Sequence, residues 1–168
     1  MKKIIAIGAI SIGLVGVAGP AEADRPPTTS GTFVLPGTTS AGANGYCPFD
    51  VRIDFTSRQR VRETTEPDGT KVTKATGNAT ATVTNVSTGK TLRYNISGPG
   101  TTTTHPDGAF EGDLTGANLL STTVANSYSG VPQLAYTTGR VRFSVAASGL
   151  TTSYQLNGRS TDVCAALS

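Results

Sequence analysis

Tryptophan is absent from this chain, and histidine and methionine occur once each. Only two cysteines are present. A structural zinc site takes about four Cys or His ligands. With His105 alone and no third cysteine, no metal site is expected. No Gly-x-Ser-x-Gly elbow or other nucleophile signature occurs, so no catalytic set and no cofactor are expected. Charged residues make up 15% of the chain and the net charge is +3. That excess is too small to point by itself to nucleic acid or a membrane surface. Beyond residue 23 no apolar run approaches the ~20 residues of a spanning helix. No segment there keeps a 3.6-residue apolar period, so little or no helix is expected. What is abundant is threonine and glycine, which with low charge fits an exported β-protein.

The first residues read as an export signal. Lys2 and Lys3 precede an apolar stretch over residues 4–18, and Ala21-Glu22-Ala23 forms a small-x-small site. Residues 1–23 are therefore expected to be a bacterial-style signal peptide cleaved after Ala23. The protein is expected outside the cell, free or at the envelope. There Cys47 and Cys164 would oxidise to one disulfide. Closing so long a loop is worth roughly 4–5 kcal/mol by chain entropy. Residues 24–45, rich in Pro, Thr, Ser and Gly, read as a flexible leader, with an edge strand possible at residues 32–35. Residues 46–168 read as one β domain.

Within that domain the signal is alternation. Phe49, Val51, Ile53 and Phe55 interleave with polar residues as a half-buried strand does, and the strand can run on to Thr65. Pro67-Asp68-Gly69 is a turn. Residues 70–86 form a second strand, with Gly77 marking a bulge. A third carries Leu92, Tyr94 and Ile96. Residues 101–105, 109–114 and 118–124 make three more. Residues 133–147 and 151–162 complete a count of eight. In residues 133–147 the apolar parity switches at Gly139, which predicts a β-bulge there. An even count in an antiparallel meander puts the first and last strands' outer ends together. Closing that sheet would bring Cys47 to Cys164, so a closed or nearly closed barrel is expected, with a β-sandwich as the alternative. Residues 64–69 echo residues 103–108, which reads as shared turn chemistry, with a duplicated binding loop as the alternative.

Arg58, Arg60 and Arg62 are the most distinctive polar feature. Period 2 puts them on one face, with Lys74 opposite Arg62 across the turn and Lys71 nearby. Like charges opposed across strands repel. Such a stripe therefore either sits among acidic neighbours or meets an anionic partner. The readings of other groups are structural. His105 with Asp107 lies at a turn without a nucleophile. Asp50 and Asp54 are too far apart along one strand for paired catalysis. Asp107, Glu111 and Asp113 lack calcium-loop spacing. Asn78, Asn85 and Asn95 each start an Asn-x-Ser/Thr triplet, a pattern a Thr-rich chain produces by chance.

The segments Cys47-Pro48-Phe49, Pro67-Asp68-Gly69-Thr70, Thr88-Gly89-Lys90, Gly98-Pro99-Gly100 and Asp162-Val163-Cys164 together resemble small secreted β-rich proteins of actinobacteria. The resemblance implies export and β-structure and transfers no catalytic residue. The leading expectation is a non-enzymatic exported β domain. Its partner would be an anionic envelope polymer or another protein, not nucleic acid. One alternative is a calycin-like carrier holding an apolar ligand against Tyr94, Tyr136, Phe143 and Tyr154. The other is a hydrolase or isomerase using His105.

Overall fold

The structure, a computed structural model, describes Ile5–Ala6 and residues 26–168. The signal-peptide reading thus falls largely outside the described residues. Among the described residues nine strands occur: β1 (Ile5–Ala6), β2 (Thr29–Leu35), β3 (Val51–Thr65), β4 (Lys71–Asn85), β5 (Thr91–Asn95), β6 (Gly100–Thr104), β7 (Phe110–Ser121), β8 (Leu134–Val145) and β9 (Thr151–Asp162). The short α-helices among the same residues are α1 (Thr38–Ala41) and α2 (Val163–Leu167). The Asp162 carboxylate caps α2 by accepting from Ala165 N–H at 3.0 Å. Among the described residues no helix is long and apolar enough to cross a membrane.

The strands form one antiparallel sheet in the order β2-β3-β4-β6-β7-β8-β9. β5 pairs β4 beside β6, and β1 pairs β7. Three hairpins repeat one pattern. Glu66, His105 and Ala146 each donate an N–H to the carbonyl four residues on. The carbonyls of Glu66, His105 and Ala146 in turn accept the N–H of the glycine three residues on, Gly69, Gly108 and Gly149. Asp68 and Asp107 each close their own turn by accepting an N–H at 2.9 Å. The echo between residues 64–69 and 103–108 is thus a common turn geometry, and a Cβ on Gly69 would meet Pro106 Cγ at 3.4 Å.

The strand count changes in a way that preserves its parity. The separate strands expected at 109–114 and 118–124 are one strand, β7. β5 and β6 lie end to end along β4, so they make a single pass. β3, β4, β5 with β6, β7, β8 and β9 make six passes, still an even number. The start of β3 and the end of β9 therefore share an end, and Cys47 bonds Cys164 with Cα atoms 5.4 Å apart. Barrel closure is not part of this: β2 and β9 are the edges of an open sheet.

The sandwich alternative fits the packing. At the disulfide end, among the described residues, β5 pairs only with β4, and the sheet parts between β5 and the second half of β7. Val51, Ile53, Ala81 and Val83 of β3 and β4 pack there with Leu119 and Leu134 of β7 and β8. Leu35, Cys47, Cys164 and Leu167 belong to the same cluster. Each fully buried Ile or Leu among these contributes about 1.5–3 kcal/mol. Leu114, Leu120, Val141, Phe143 and Val145 form a second cluster. β8 serves both, with Leu134 and Tyr136 in the first and Val141, Phe143 and Val145 in the second.

This explains the parity switch at Gly139 and corrects the bulge expected there. Gly116, Gly139 and Gly158 stand opposite one another, with no register shift at that point in either ladder. Gly139 takes φ +109°, and a Cβ on it would run into the backbone of Asn157 and Gly158. The strand changes its apolar face without an inserted residue, and the register shift on β8 lies at Ser144/Val145. Gly77 likewise sits in register, opposite Gln59, with no bulge.

The edge strand expected at residues 32–35 forms and starts three residues earlier, so this part of residues 24–45 is not flexible leader: Thr29–Leu35 pairs in full with β3, and Leu35 is buried. The following loop is tied down at Asp50. Its Oδ1 accepts Gly37 N–H at 2.6 Å and the Ser40 hydroxyl at 2.7 Å. The Gly37 bond above all, then Ser40, holds the Asp50 carboxyl below its ordinary 3.8. A depressed folded value means that the stabilisation is complete above the ordinary value. It is lost as the pH falls through the folded one. Asp50→Ala should therefore lower the urea midpoint at neutral pH, and the gap to wild type should close on acidification below about pH 4. A gap that persists unchanged at low pH would show that the carboxylate charge is not the tie.

Candidate functional site

The expected cationic stripe forms on β3 and β4. Arg58 stands opposite Asn78, Arg60 opposite Thr76 and Arg62 opposite Lys74. The Ser57 hydroxyl hydrogen-bonds Gln59 Oε1 at 3.2 Å, so the odd residues share one face here. The arginines occupy the other and are exposed. Arg58 Nε donates to Thr28 Oγ1 at 2.7 Å. Lys71 leaves the group: it has the opposite parity and pairs with Glu63 at 3.6 Å. Among the described residues Arg62 and Lys74 make no ion pair. Directly opposed like charges of this kind cost a few tenths to about 1 kcal/mol.

That pair begins a longer row. Arg62, Lys74, Thr101, Asp113, Arg142 and Gln155 are successive cross-strand partners from β3 to β9. The next row contains Thr103, Glu111, Ser144 and Ser153. Between the two rows, across β6 to β9, runs a trough of about 420 Å³. Asp113 anchors its middle. It accepts Arg140 Nε at 2.8 Å and Nη2 at 2.6 Å in a bidentate pair, and Arg142 Nε at 3.4 Å. Arg140 chiefly, then Arg142, keeps the Asp113 carboxyl below its ordinary range. A second trough of about 340 Å³ lies across β2 to β5, lined by Ser30, Thr32, Asp54, Thr56, Thr82 and Arg93. Its Asp54 accepts the Thr32 hydroxyl at 2.6 Å and Arg52 Nε at 3.1 Å.

The chain matches no family model, no curated protein and no solved structure. Its chemistry has to be read from its own residues.

The other candidates separate in space. Tyr94 and Tyr136 stack with centroids 4.6 Å apart against the first cluster. Phe143 and Tyr154 belong to the second, where Phe143 meets Phe110 at 5.7 Å. The four rings therefore do not line one cavity. Burial pushes the Tyr94 and Tyr154 hydroxyls up in pKa. The space beside Phe143 and Tyr154 is about 30 Å³, room for a water or two. His105 is half-buried, with Nε2 3.9 Å from Glu111 Oε1, and lines neither trough. Asp107 closes its own turn, so its carboxylate is engaged there. Among the described residues no group of three or more His, Cys, Asp or Glu is placed to hold a metal ion. Asn85 is buried and binds Leu167 O and the Ser87 hydroxyl, so in the folded chain it is no glycan acceptor.

Sequence reading located the arginines but missed the troughs. Thr101, Thr103, Ser144 and Ser153 are unremarkable one strand at a time. The available signal is hydroxyl residues at alternate positions in several strands, and only cross-strand register turns them into a row.

Proposed function

We propose that this is an exported, non-enzymatic β domain that adheres to an anionic polymer of the cell envelope. Contact is electrostatic, through Arg58, Arg60, Arg62 and Lys74. The carrying observation is the exposed Arg62–Lys74 pair, opposed in register and, among the described residues, with no ion pair to either. An anionic partner relieves that repulsion. Export is supported by the reading of residues 1–23 and by the Cys47–Cys164 disulfide. The sandwich-like packing gives the face a rigid base.

Exposed charges are worth about 0.2–1 kcal/mol each. Arg58→Ala/Arg60→Ala/Arg62→Ala should thus lower the affinity for an immobilised polyanion about tenfold at low salt. Wild-type retention should itself fall steeply as salt is raised. Retention that ignores both salt and the three substitutions would remove this reading.

A further inference from the structure

The trough across β6 to β9 indicates which kind of anionic polymer fits. Four hydroxyls line it: Thr101 and Thr103 from β6, Ser144 from β8 and Ser153 from β9. All four residues are half-buried. Among the described residues none of these hydroxyls is engaged in a hydrogen bond. The Gln155 amide lies with them. Ser144 and Ser153 stand opposite each other on neighbouring strands ~4.8 Å apart, close to the length of one pyranose unit, and Glu111 on β7 separates them from Thr103. Each hydroxyl both donates and accepts, and so does each hydroxyl of a sugar.

The acids in the trough discriminate further. Glu111 is exposed and acceptor-only when ionised. It accepts from sugar hydroxyls and repels a bare phosphate chain. Arg140 and Arg142 outweigh the Asp113 charge by one, and Glu111 offsets the remainder, so the middle of the trough is close to neutral. Positive charge is concentrated at the β3–β4 end of the row, on Arg62 and Lys74. Phe143 lies buried and offers no open ring face, which leaves hydrogen bonding as the means of recognition.

We infer that the trough binds an acidic polysaccharide laid across the strands, with its sugar hydroxyls on the Thr/Ser row and an acidic group at Arg62 and Lys74. This rests on the anionic-partner reading above and narrows it to a glycan. Three soluble polymers separate the two claims: polygalacturonate, dextran, and polyphosphate matched in charge to the first. Wild-type protein should bind polygalacturonate about tenfold more tightly than polyphosphate, with dextran weaker than polygalacturonate. Ser144→Val/Ser153→Val suits a strand and should keep the melting temperature. It should erase the preference and leave polyphosphate binding unchanged. Arg62→Ala/Lys74→Ala should weaken both polyanions. Equal or tighter polyphosphate binding, or a valine variant that behaves as wild type, would overturn the glycan claim and leave the electrostatic one standing. Failure of wild type to bind either polyanion would overturn both.

Discussion

Reduction of the Cys47–Cys164 bond should lower the stability of the domain by about 2–5 kcal/mol. For a chain of this size that is a fall of roughly 10 °C in melting temperature. The bridge spans a sequence separation of 117 residues, so its loss frees a long loop in the unfolded state. It also acts on the native state at a particular place. Cys47 closes the loop before β3, Cys164 sits in the short helix after β9, and both are in the first core cluster. The sheet is open, so no ladder joins its outer strands, and the disulfide ties the two ends of the six-pass meander together. Urea unfolding of wild type with and without reductant, beside Cys47→Ala/Cys164→Ala, measures the effect. An unchanged midpoint would show that packing of the first cluster alone holds the ends together.

The second large effect is expected at Gly139. Gly139→Ala should destabilise by about 3 kcal/mol or more. The new Cβ would sit 2.8 Å from the Gly158 Cα and 3.1 Å from the Asn157 carbonyl carbon, both backbone, at φ +109°. Backbone in a ladder has no rotamer with which to give way. Gly89→Ala is the control. It too has positive φ, at +75°, but nothing lies within 4 Å of its Cβ. Its cost should be only about 1–2 kcal/mol. Equal costs at the two sites would show that conformational strain alone matters and that the close approach of β8 and β9 does not.

These two sites show where sequence reading works and where it stops. Alternation at Val51 and Ile53 locates β3, because one buried face leaves a period of 2. The turns at Pro67-Asp68-Gly69 and Pro106-Asp107-Gly108 are legible because their chemistry is local. Parity at Gly139 is legible too, but its cause is not. A bulge and a strand buried on opposite faces in its two halves leave the same pattern in one strand. Gly116 looks like the break between two strands, yet it lies within β7, opposite Gly139. The second half of β2 is legible as an edge strand, but Thr29 to Gly31 look like leader because Thr, Ser and Gly carry little apolar signal, and pairing with β3 fixes them. Lys71 looks like part of the arginine group by proximity, and strand parity sends it to Glu63. The aromatic residues look like one cavity lining because a barrel has one interior, whereas this sheet packs two clusters. The trough is the least legible feature, since it exists only across strands.

The most direct test of the binding face is a titration of isotope-labelled protein with polygalacturonate, followed by backbone amide chemical shifts at low salt. Shifts should concentrate on Arg58 to Arg62, on Lys74 and along the two rows through Thr101, Asp113, Arg142 and Gln155 and through Thr103, Glu111, Ser144 and Ser153, and should fade as salt is added. Shifts confined to other surfaces, such as the outer edge of β9, or no shifts at all, would contradict the assignment of this face.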